Sequence, residues 1–361
     1  YCSSVTKNLL QREYGKRLAS RVETIDINDS REIASIRVTA LDAGHCPGSV
    51  MFLFETLDHS YCALHTGDFR ASEQVRAQLE AYFDDSKAEK KKLDVIYLDT
   101  TYACRSKAFL FPSQSDACAE IETVARRETT REPKTIFLVP TYSIGKENAV
   151  EAACRGCGGR AYVPERRAEA LRLCGRFDDK YYCVDRDDPS VKVLVSSGQT
   201  VGYHNRSQSG SSQQQQQSTK ETPHDRMAAL LSDKIRAVVT IRATGWEAKK
   251  TSKTLKEVLA APSWVGNDGR TRCYGVPYSE HSSLAELEAF VGALRPRRVH
   301  PTVGAETREK RDRLRDLFAG FTDLSRDPRK LDYFLSTTNK PSSQDDDVVV
   351  DLKAVDVRRQ E

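Results

Sequence analysis

The sequence has no long apolar run, no strong net charge and no basic segment followed by an apolar one at its start. No apolar stretch reaches the roughly 20 residues that a transmembrane helix needs, and the first residues do not have the pattern of a signal peptide. We therefore expect no membrane partner. The formal net charge is only +4 over 361 residues, so the overall electrostatic field does not by itself indicate a nucleic acid partner.

The sequence also lacks the cysteine spacing of a secreted disulfide framework. Its ten cysteines are irregularly spaced, and several lie inside apolar segments, which is typical of reduced intracellular thiols. Cys154 and Cys157 form a single Cys-x-x-Cys pair without a second pair at zinc-finger spacing. We interpret these two cysteines as structural thiols.

Apolar, β-branched segments alternate with segments rich in alanine, leucine and glutamate, which predicts an α/β protein whose sheets are covered by helices. Residues 206–225 contain five consecutive glutamines among serines and glycines, and this composition predicts a disordered surface insertion. Strands are predicted at residues 33–41, 50–54, 61–64, 95–98, 135–139 and 237–241, and helices at 148–154 and 284–294.

Three side chains that can bind a metal stand at the ends of predicted strands. His45 and Asp68 each follow a β-rich segment beside a glycine, and His281 lies between a strand and a helix far downstream. Together they form a candidate metal site. Strand alternation would place His65 and Asp68 on opposite faces, so we assign His65 a structural role. Asp99 ends an apolar strand, where a buried acid is costly unless it is paired.

Residues 141–147 run from a strand end into a helix, where unpaired backbone N–H groups can bind an anion. Lys146 adds a positive charge there. From local sequence alone, simple capping of the helix by Ser143 explains the segment equally well.

In the order of the chain, these segments resemble the metallo-β-lactamase/β-CASP nucleases of DNA cross-link repair, the group that includes Artemis and Apollo. The similarity is greatest to the 5′-exonuclease branch. The segments are His-Cys-Pro-Gly at 45–48, His-Thr-Gly-Asp-Phe-Arg at 65–70, Tyr-Leu-Asp-Thr-Thr-Tyr at 97–102, Thr-Tyr-Ser-Ile-Gly-Lys-Glu at 141–147, Thr-Gly-Trp at 244–246 and Ser-Glu-His-Ser-Ser at 279–283.

The resemblance implies an αβ/βα metallo-β-lactamase sandwich interrupted by a β-CASP domain. The first part of the lactamase domain would be residues 1–102 and the β-CASP domain residues 103–267. Residues 268–324 would complete the lactamase domain, and residues 325–361 would form a mobile tail with at most one short strand, at 348–352.

The resemblance also implies a site with two zinc ions. His45 would bind one ion, His281 the other, and Asp68 would bridge both. Asp99 would orient His281 or the attacking water, so Asp68, Asp99 and His281 are the expected catalytic residues. A pocket for a DNA 5′-phosphate is expected at Ser143, Lys146, Arg242 and Ser283.

The implied activity is 5′–3′ hydrolysis of DNA phosphodiesters in interstrand cross-link and double-strand break repair, in the nucleus. Val303 stands where RNA-processing relatives carry histidine, which favours DNA as the substrate. The alternative enzyme is a structure-specific hairpin endonuclease, distinguishable because it would cleave a hairpin without a free 5′ end.

One motif of the family, His-x-His-x-Asp-His, is absent from the sequence. We expect that the sequence is cut off at its N-terminus and that the remaining zinc ligands belong to an upstream segment. If they do not, the chain would be a non-catalytic DNA-binding fragment or a pseudoenzyme. Pro140, Ala243 and Gly304 also depart from the residues usual in the family, which makes the phosphate pocket less secure than the metal ligands.

Overall fold

Two β-sheets form the frame of the protein, which we describe from a computed structural model covering residues 1–83, 92–104, 111–142, 144–197, 227–250 and 254–323. These residues lie almost entirely in one unit, Tyr1–Thr322. The predicted insertion at 206–225 and the predicted tail at 325–361 lie outside the described residues. The α/β fold class predicted from the sequence is confirmed.

The described strands are β1 (Ser30–Ile33), β2 (Ile36–Asp42), β3 (Val50–Thr56), β4 (Cys62–His65), β5 (Val95–Leu98), β6 (Thr135–Thr141), β7 (Arg160–Tyr162), β8 (Tyr182–Cys183), β9 (Val191–Ser197), β10 (Ala237–Ala243), β11 (Trp264–Val265), β12 (Thr271–Val276) and β13 (Arg298–Pro301). The described helices are α1 (Ser4–Tyr14), α2 (Lys16–Ala19), α3 (Glu73–Tyr82), α4 (Gln114–Arg131), α5 (Glu147–Cys157), α6 (Glu165–Leu173), α7 (Leu255–Leu259), α8 (Leu284–Leu294) and α9 (Arg308–Asp316), with 3₁₀ turns at Gly245–Lys250 and Ala319–Phe321.

The first sheet has the strand order β1-β2-β3-β4-β5-β13. Strands β1 to β4 pair antiparallel with their neighbours, whereas β4, β5 and β13 run parallel. Its main core lies between the sheet and helices α3 and α8, where Leu64, Ile96 and Phe290 are fully buried. The alternating burial along β3 follows from strand geometry, since successive side chains point to opposite faces.

The second sheet has the order β11-β12-β10-β6-β9-β7-β8 and is parallel except for β11. Buried side chains on α4 and α5 pack on it, with Phe137 and Val239 among the fully buried residues. The chain leaves the first sheet after β5, builds the second and returns at β13. The domain boundaries at residues 102, 267 and 324 stay a prediction.

The structure corrects one predicted strand. The sequence analysis treats residues 33–41 as a single strand, but the chain turns back within it, so that β1 and β2 form a hairpin with Ile33 opposite Ile36. The turn places Ala34 at a φ of +54°, in the left-handed region. Alanine rarely adopts this conformation, so the sequence gives no sign of the turn.

Among the described residues, no helix is both long enough and apolar enough to cross a bilayer.

Candidate metal centre

The structure brings the three predicted ligands together. His45 lies in the loop after β2, Asp68 in the loop after β4 and His281 between β12 and α8. One potential ligand atom from each residue lies within 4.8 Å of the other two. Asp68 is exposed and the two histidines are partly buried, so the cluster sits at the surface with its imidazoles set deeper. The donor set is two imidazole nitrogens and a carboxylate oxygen.

Both imidazoles are held through their Nδ1 atoms. His45 Nδ1 lies 3.0 Å from the carbonyl oxygen of Glu280, and His281 Nδ1 lies 2.7 Å from Oδ2 of Asp99. The rings are close, with centroids 4.7 Å apart. Because each Nδ1 faces an acceptor, the favoured neutral tautomer carries its proton there and leaves a lone pair on Nε2. This tautomer is the one that a metal-binding histidine needs.

Asp99 is 2% exposed and its carboxylate is fully engaged. Oδ2 faces His281 and also accepts from the Phe69 N–H, while Oδ1 accepts from the backbone and hydroxyl of Thr101 at 2.9 and 2.6 Å. Burial raises the pKa of Asp99, but the hydrogen bonds from His281 and Thr101 outweigh it and hold the pKa below its ordinary value. The carboxylate is therefore ionised near neutral pH.

The hydrogen bond between Asp99 and His281 lowers the pKa of Asp99 and raises the pKa of His281. Burial lowers the pKa of His281, but the hydrogen bond to Asp99 and the charges of Asp99, Asp68 and Glu280 outweigh it, so the pKa lies above its ordinary value. The predicted contact between Asp99 and His281 is therefore present in the structure.

A glycine beside His45 is required by close packing. Gly44 has a φ of +61°, and a Cβ at this position would lie 2.8 Å from Cγ2 of Val75 and 3.2 Å from the carbonyl oxygen of Arg70. The Gly44 N–H donates to Oδ1 of Asp42 at 2.9 Å. The loop that presents His45 thus depends on a residue without a side chain.

Arg70, which the sequence analysis did not single out, joins the segments that carry Asp68 and His281. Its guanidinium is buried and donates to the carbonyl oxygens of Ser279 and Pro112 at 2.7 and 2.9 Å. It also donates twice to Oε1 of Glu286, at 3.0 and 3.1 Å. A cation this deeply buried has to be paired, and its partners are too distant in the chain for a local pattern to indicate this role.

A second link lies beside Arg70. The backbone N–H of Ala71 donates to the Ser282 hydroxyl at 2.9 Å, and that hydroxyl donates to the Phe69 carbonyl at 3.3 Å. The segment that follows Asp68 is therefore joined to the His281 loop on both sides of His281.

The predicted phosphate contacts are not arranged as an open pocket. Ser143 lies outside the described residues. Arg242 forms an ion pair with the buried Glu247 at 2.7 Å. The Ser283 hydroxyl caps α8 by accepting a hydrogen bond from the Glu286 N–H. The Glu286 carboxylate in turn accepts a hydrogen bond from the Ser283 N–H.

Helix α5 begins after Lys146, which has a φ of +64°. Its N-terminal donors already meet carboxylates of the chain, since the Lys146 N–H donates to Glu280 and the Gly145 N–H donates to Glu147, both at 2.8 Å. The Lys146 ammonium lies 4.9 Å from the centroid of the exposed Tyr142 ring. Burial lowers the pKa of Lys146 more than Glu280 raises it. Lys146 thus presents a cation beside an exposed ring.

His65 lies outside the cluster, in line with its predicted structural role. Its ring stacks on Tyr97 with centroids 5.6 Å apart, and Tyr97 stacks in turn on His300 at 5.3 Å. These three residues stand opposite one another on β4, β5 and β13. Cys154 and Cys157 are buried and unpaired by a disulfide, as expected for structural thiols.

An α/β fold that brings two histidines and an aspartate together at the ends of its strands can hold a metal ion. Residues 200–307 match the family model described as DNA repair metallo-beta-lactamase. Over these residues the chain is similar to that family.

Several curated relatives are named for DNA cross-link repair or as a 5′ exonuclease. The chain is 33% identical to the DNA cross-link repair protein SNM1 of Arabidopsis thaliana, covering 86% of this chain and 58% of that protein. It is 28% identical to the human DNA cross-link repair 1A protein, covering 88% of this chain and 27% of that one. It is 26% identical to the 5′ exonuclease Apollo of Rattus norvegicus, covering 84% and 46%. The chain therefore spans little more than half of the first relative and about a quarter of the second.

Proposed function

We propose that this protein hydrolyses DNA phosphodiester bonds from a 5′ end, as a zinc-dependent 5′–3′ exonuclease in interstrand cross-link and double-strand break repair. The observation that carries this proposal is the convergence of His45, Asp68 and His281. The names of the relatives, which include cross-link repair proteins and a 5′ exonuclease, support DNA as the substrate. We also propose that the protein acts on nuclear DNA.

The donor set fits zinc. Two histidines and one carboxylate are the protein ligands of several catalytic zinc sites, in which a water takes the fourth position. The potential ligand atoms lie within 4.8 Å of one another, and two ligands of one zinc ion lie at most about 4.2 Å apart, so the cluster has the size of a zinc site. We propose that His45 and His281 would each bind a zinc ion and that Asp68 would contribute to both; two ions need more ligands than these three residues supply.

When bound, zinc would lower the pKa of a water molecule and polarise the phosphodiester. The residues of the chain prepare the site for this chemistry. Glu280 and Asp99 accept from the Nδ1 side of the two imidazoles, which leaves their Nε2 atoms available to a metal. The ionised Asp99 also stabilises positive charge on His281.

Contacts to the 5′-phosphate are proposed at Lys146, Ser283, Arg242 and Ser143. Lys146 supplies an ammonium group next to the exposed Tyr142. The Ser283 hydroxyl accepts a bond from the helix and can still donate one to a phosphate oxygen. To bind the phosphate, Arg242 would have to give up its ion pair with Glu247. We therefore expect Arg242 to contribute less to phosphate binding than Lys146.

The test is His281→Ala in the full-length protein, with His59→Asn, an exposed histidine in the turn between β3 and β4, as the matched control. Bound zinc and cleavage of a 5′-phosphorylated single strand are measured together. We expect His281→Ala to lose both and the control to keep both. Unchanged turnover in His281→Ala would refute the site.

Two outcomes favour the other candidate functions. Opening of a DNA hairpin without a free 5′ end would indicate a structure-specific endonuclease. Salt-dependent DNA binding without cleavage at any zinc concentration would indicate a non-catalytic DNA-binding protein.

A further inference from the structure

Three aromatic rings run outwards from the metal centre. The ring of Tyr102 meets that of His281 edge-on with centroids 6.1 Å apart, and it meets Trp246 in the same way, also at 6.1 Å. Tyr102 is buried, whereas Trp246 is 46% exposed. The row therefore begins at a proposed zinc ligand and ends in a large aromatic surface open to solvent.

The turn that carries Trp246 is fixed to the segment that carries His281. The Thr244 carbonyl accepts from the Glu247 N–H at 3.1 Å and from the Tyr278 N–H at 3.4 Å. Gly245 allows Tyr102 to approach, since a Cβ there would lie 2.4 Å from the Tyr102 hydroxyl oxygen. The position of Trp246 relative to the metal centre is thus set by backbone hydrogen bonds and close packing, not by a free loop.

Packing of the core does not explain why Trp246 is half exposed. The chain has only two tryptophans, and the other, Trp264, packs against an apolar cluster beside β10. A half-exposed tryptophan offers a large flat apolar surface, and such residues recur where proteins bind partners. Here that surface lies next to a site proposed to cut DNA.

The distance suits a strand of nucleic acid. The Trp246 ring centroid lies no more than twice 6.1 Å from that of His281. A stacked DNA strand rises about 3.4 Å per nucleotide, so this distance corresponds to at most about three to four nucleotides. Glu280 links Lys146 to His45, because its side chain accepts from the Lys146 N–H and its carbonyl oxygen faces His45 Nδ1.

We propose that Trp246 is a stacking platform for a nucleobase of the single strand whose phosphodiester lies at the metal centre. Every base has a flat π-face, so the contact is independent of sequence and favours unpaired over paired ends. Tyr102 is its positioning residue. This inference rests on the proposed function and adds to it a preference for single-stranded ends.

The test measures binding without cleavage, in the presence of EDTA. The probes are a 5′-phosphorylated single-stranded oligonucleotide and a set of the same oligonucleotides with one abasic nucleotide at each of the first six positions. The proteins are the wild type, Trp246→Ala, Trp246→Phe and, as an exposed aromatic control on α1, Tyr14→Ala. Thermal unfolding confirms that each variant is folded.

We expect Trp246→Ala to weaken binding by roughly 5- to 150-fold, the range that corresponds to the loss of one stacked base. Trp246→Phe should retain most of the affinity, and Tyr14→Ala all of it. One abasic position should weaken binding by the wild type but not by Trp246→Ala, because the contact is already lost. Binding should also quench tryptophan fluorescence in the wild type and not in Trp246→Ala.

An abasic effect of equal size in the wild type and in Trp246→Ala would overturn the stacking role while leaving the proposed function intact. Absence of DNA binding in every variant, including the wild type, would overturn both.

Discussion

His281 and Asp99 are joined by a 2.7 Å hydrogen bond across 182 positions of the chain. His281 stands before α8, whereas Asp99 directly follows β5 in the first sheet. A partly buried imidazole is thereby held by a carboxylate that is itself fixed by Thr101 and Phe69. The proposed zinc ligand is thus oriented by the sheet and not by its own loop alone.

Asp99→Asn is expected to weaken zinc binding by about 10- to 100-fold, the usual effect of losing a carboxylate that orients a metal-bound histidine. The neutral amide can still accept from His281, but a hydrogen bond to an ionised carboxylate is about twice as strong. Zinc affinity is measured by competition with a chromogenic chelator. Asp58→Asn, at an exposed turn, is the control and should bind zinc as the wild type does. Equal zinc affinities of Asp99→Asn and Asp58→Asn would show that Asp99 does not support zinc binding through His281.

Arg70→Met is expected to destabilise the protein by about 3–5 kcal/mol, since it leaves Glu286 and two carbonyl oxygens without their buried partner. Arg70→Lys should recover only part of this loss, because an ammonium group cannot reproduce the planar set of four hydrogen bonds. Urea unfolding gives the free energies. The control is Arg126→Ala, an exposed pair with Glu122, for which about 0.5 kcal/mol or less is expected. A cost as small for Arg70→Met as for the control would contradict this account.

Glu147→Gln is expected to stabilise the protein near pH 7. Burial raises the pKa of Glu147 above its ordinary value despite the opposing hydrogen bond from Gly145 and the charges of Arg167 and Arg176. A raised carboxyl pKa means that stability is greatest below the pKa of the unfolded chain and is lost as the pH rises through the folded pKa. The advantage of glutamine should therefore shrink as the pH falls from 7 towards about 4.3, the ordinary glutamate pKa. Unfolding free energies of both proteins across this range provide the measurement, and an advantage that grows on acidification would show the sign to be wrong.

Gly44→Ala is expected to lower stability by at least 1–2 kcal/mol, the approximate cost of a left-handed alanine, with a further cost from the contact with Val75. Because His45 is the next residue, zinc affinity should fall as well. Gly269→Ala is the matched control, since Gly269 also has a positive φ of +68° but a Cβ there meets no atom within 4 Å. It should lose stability through backbone strain alone and keep its zinc affinity. Retained zinc affinity in Gly44→Ala would mean that the loop adjusts without moving His45.

The three clustered residues could be predicted because the motifs that carry them resemble one family in the order of the chain. His45 and Asp68 also follow predicted apolar strands of the first sheet, whereas His281 follows β12 of the second sheet, so local strand patterns alone would not have joined it to the other two. The helix 284–294 was also predicted with the bounds that the structure shows, since its capping box is a local signal.

The contacts that the sequence analysis missed are those between distant residues. A local pattern indicated a free anion site at the start of α5, but Glu280, 134 positions away, occupies one of its donors. The role of Arg70 depends on partners 42 to 216 positions away, which no local pattern describes. The turn at Ala34 was missed for a different reason, since its backbone conformation is one that alanine seldom adopts.

The return of β13 to the first sheet has a consequence for the synthesis of the protein. Strand β5 pairs with β13, and about 200 residues lie between them. At about 5–20 residues per second, a ribosome needs about 10–40 s to deliver that partner. During this interval one edge of β5 has no strand to pair with, and such edges invite association with other chains. His281 also emerges late in this interval, so the capacity to hold a metal with all three residues is acquired only then and can serve as a marker of folding in the newborn chain.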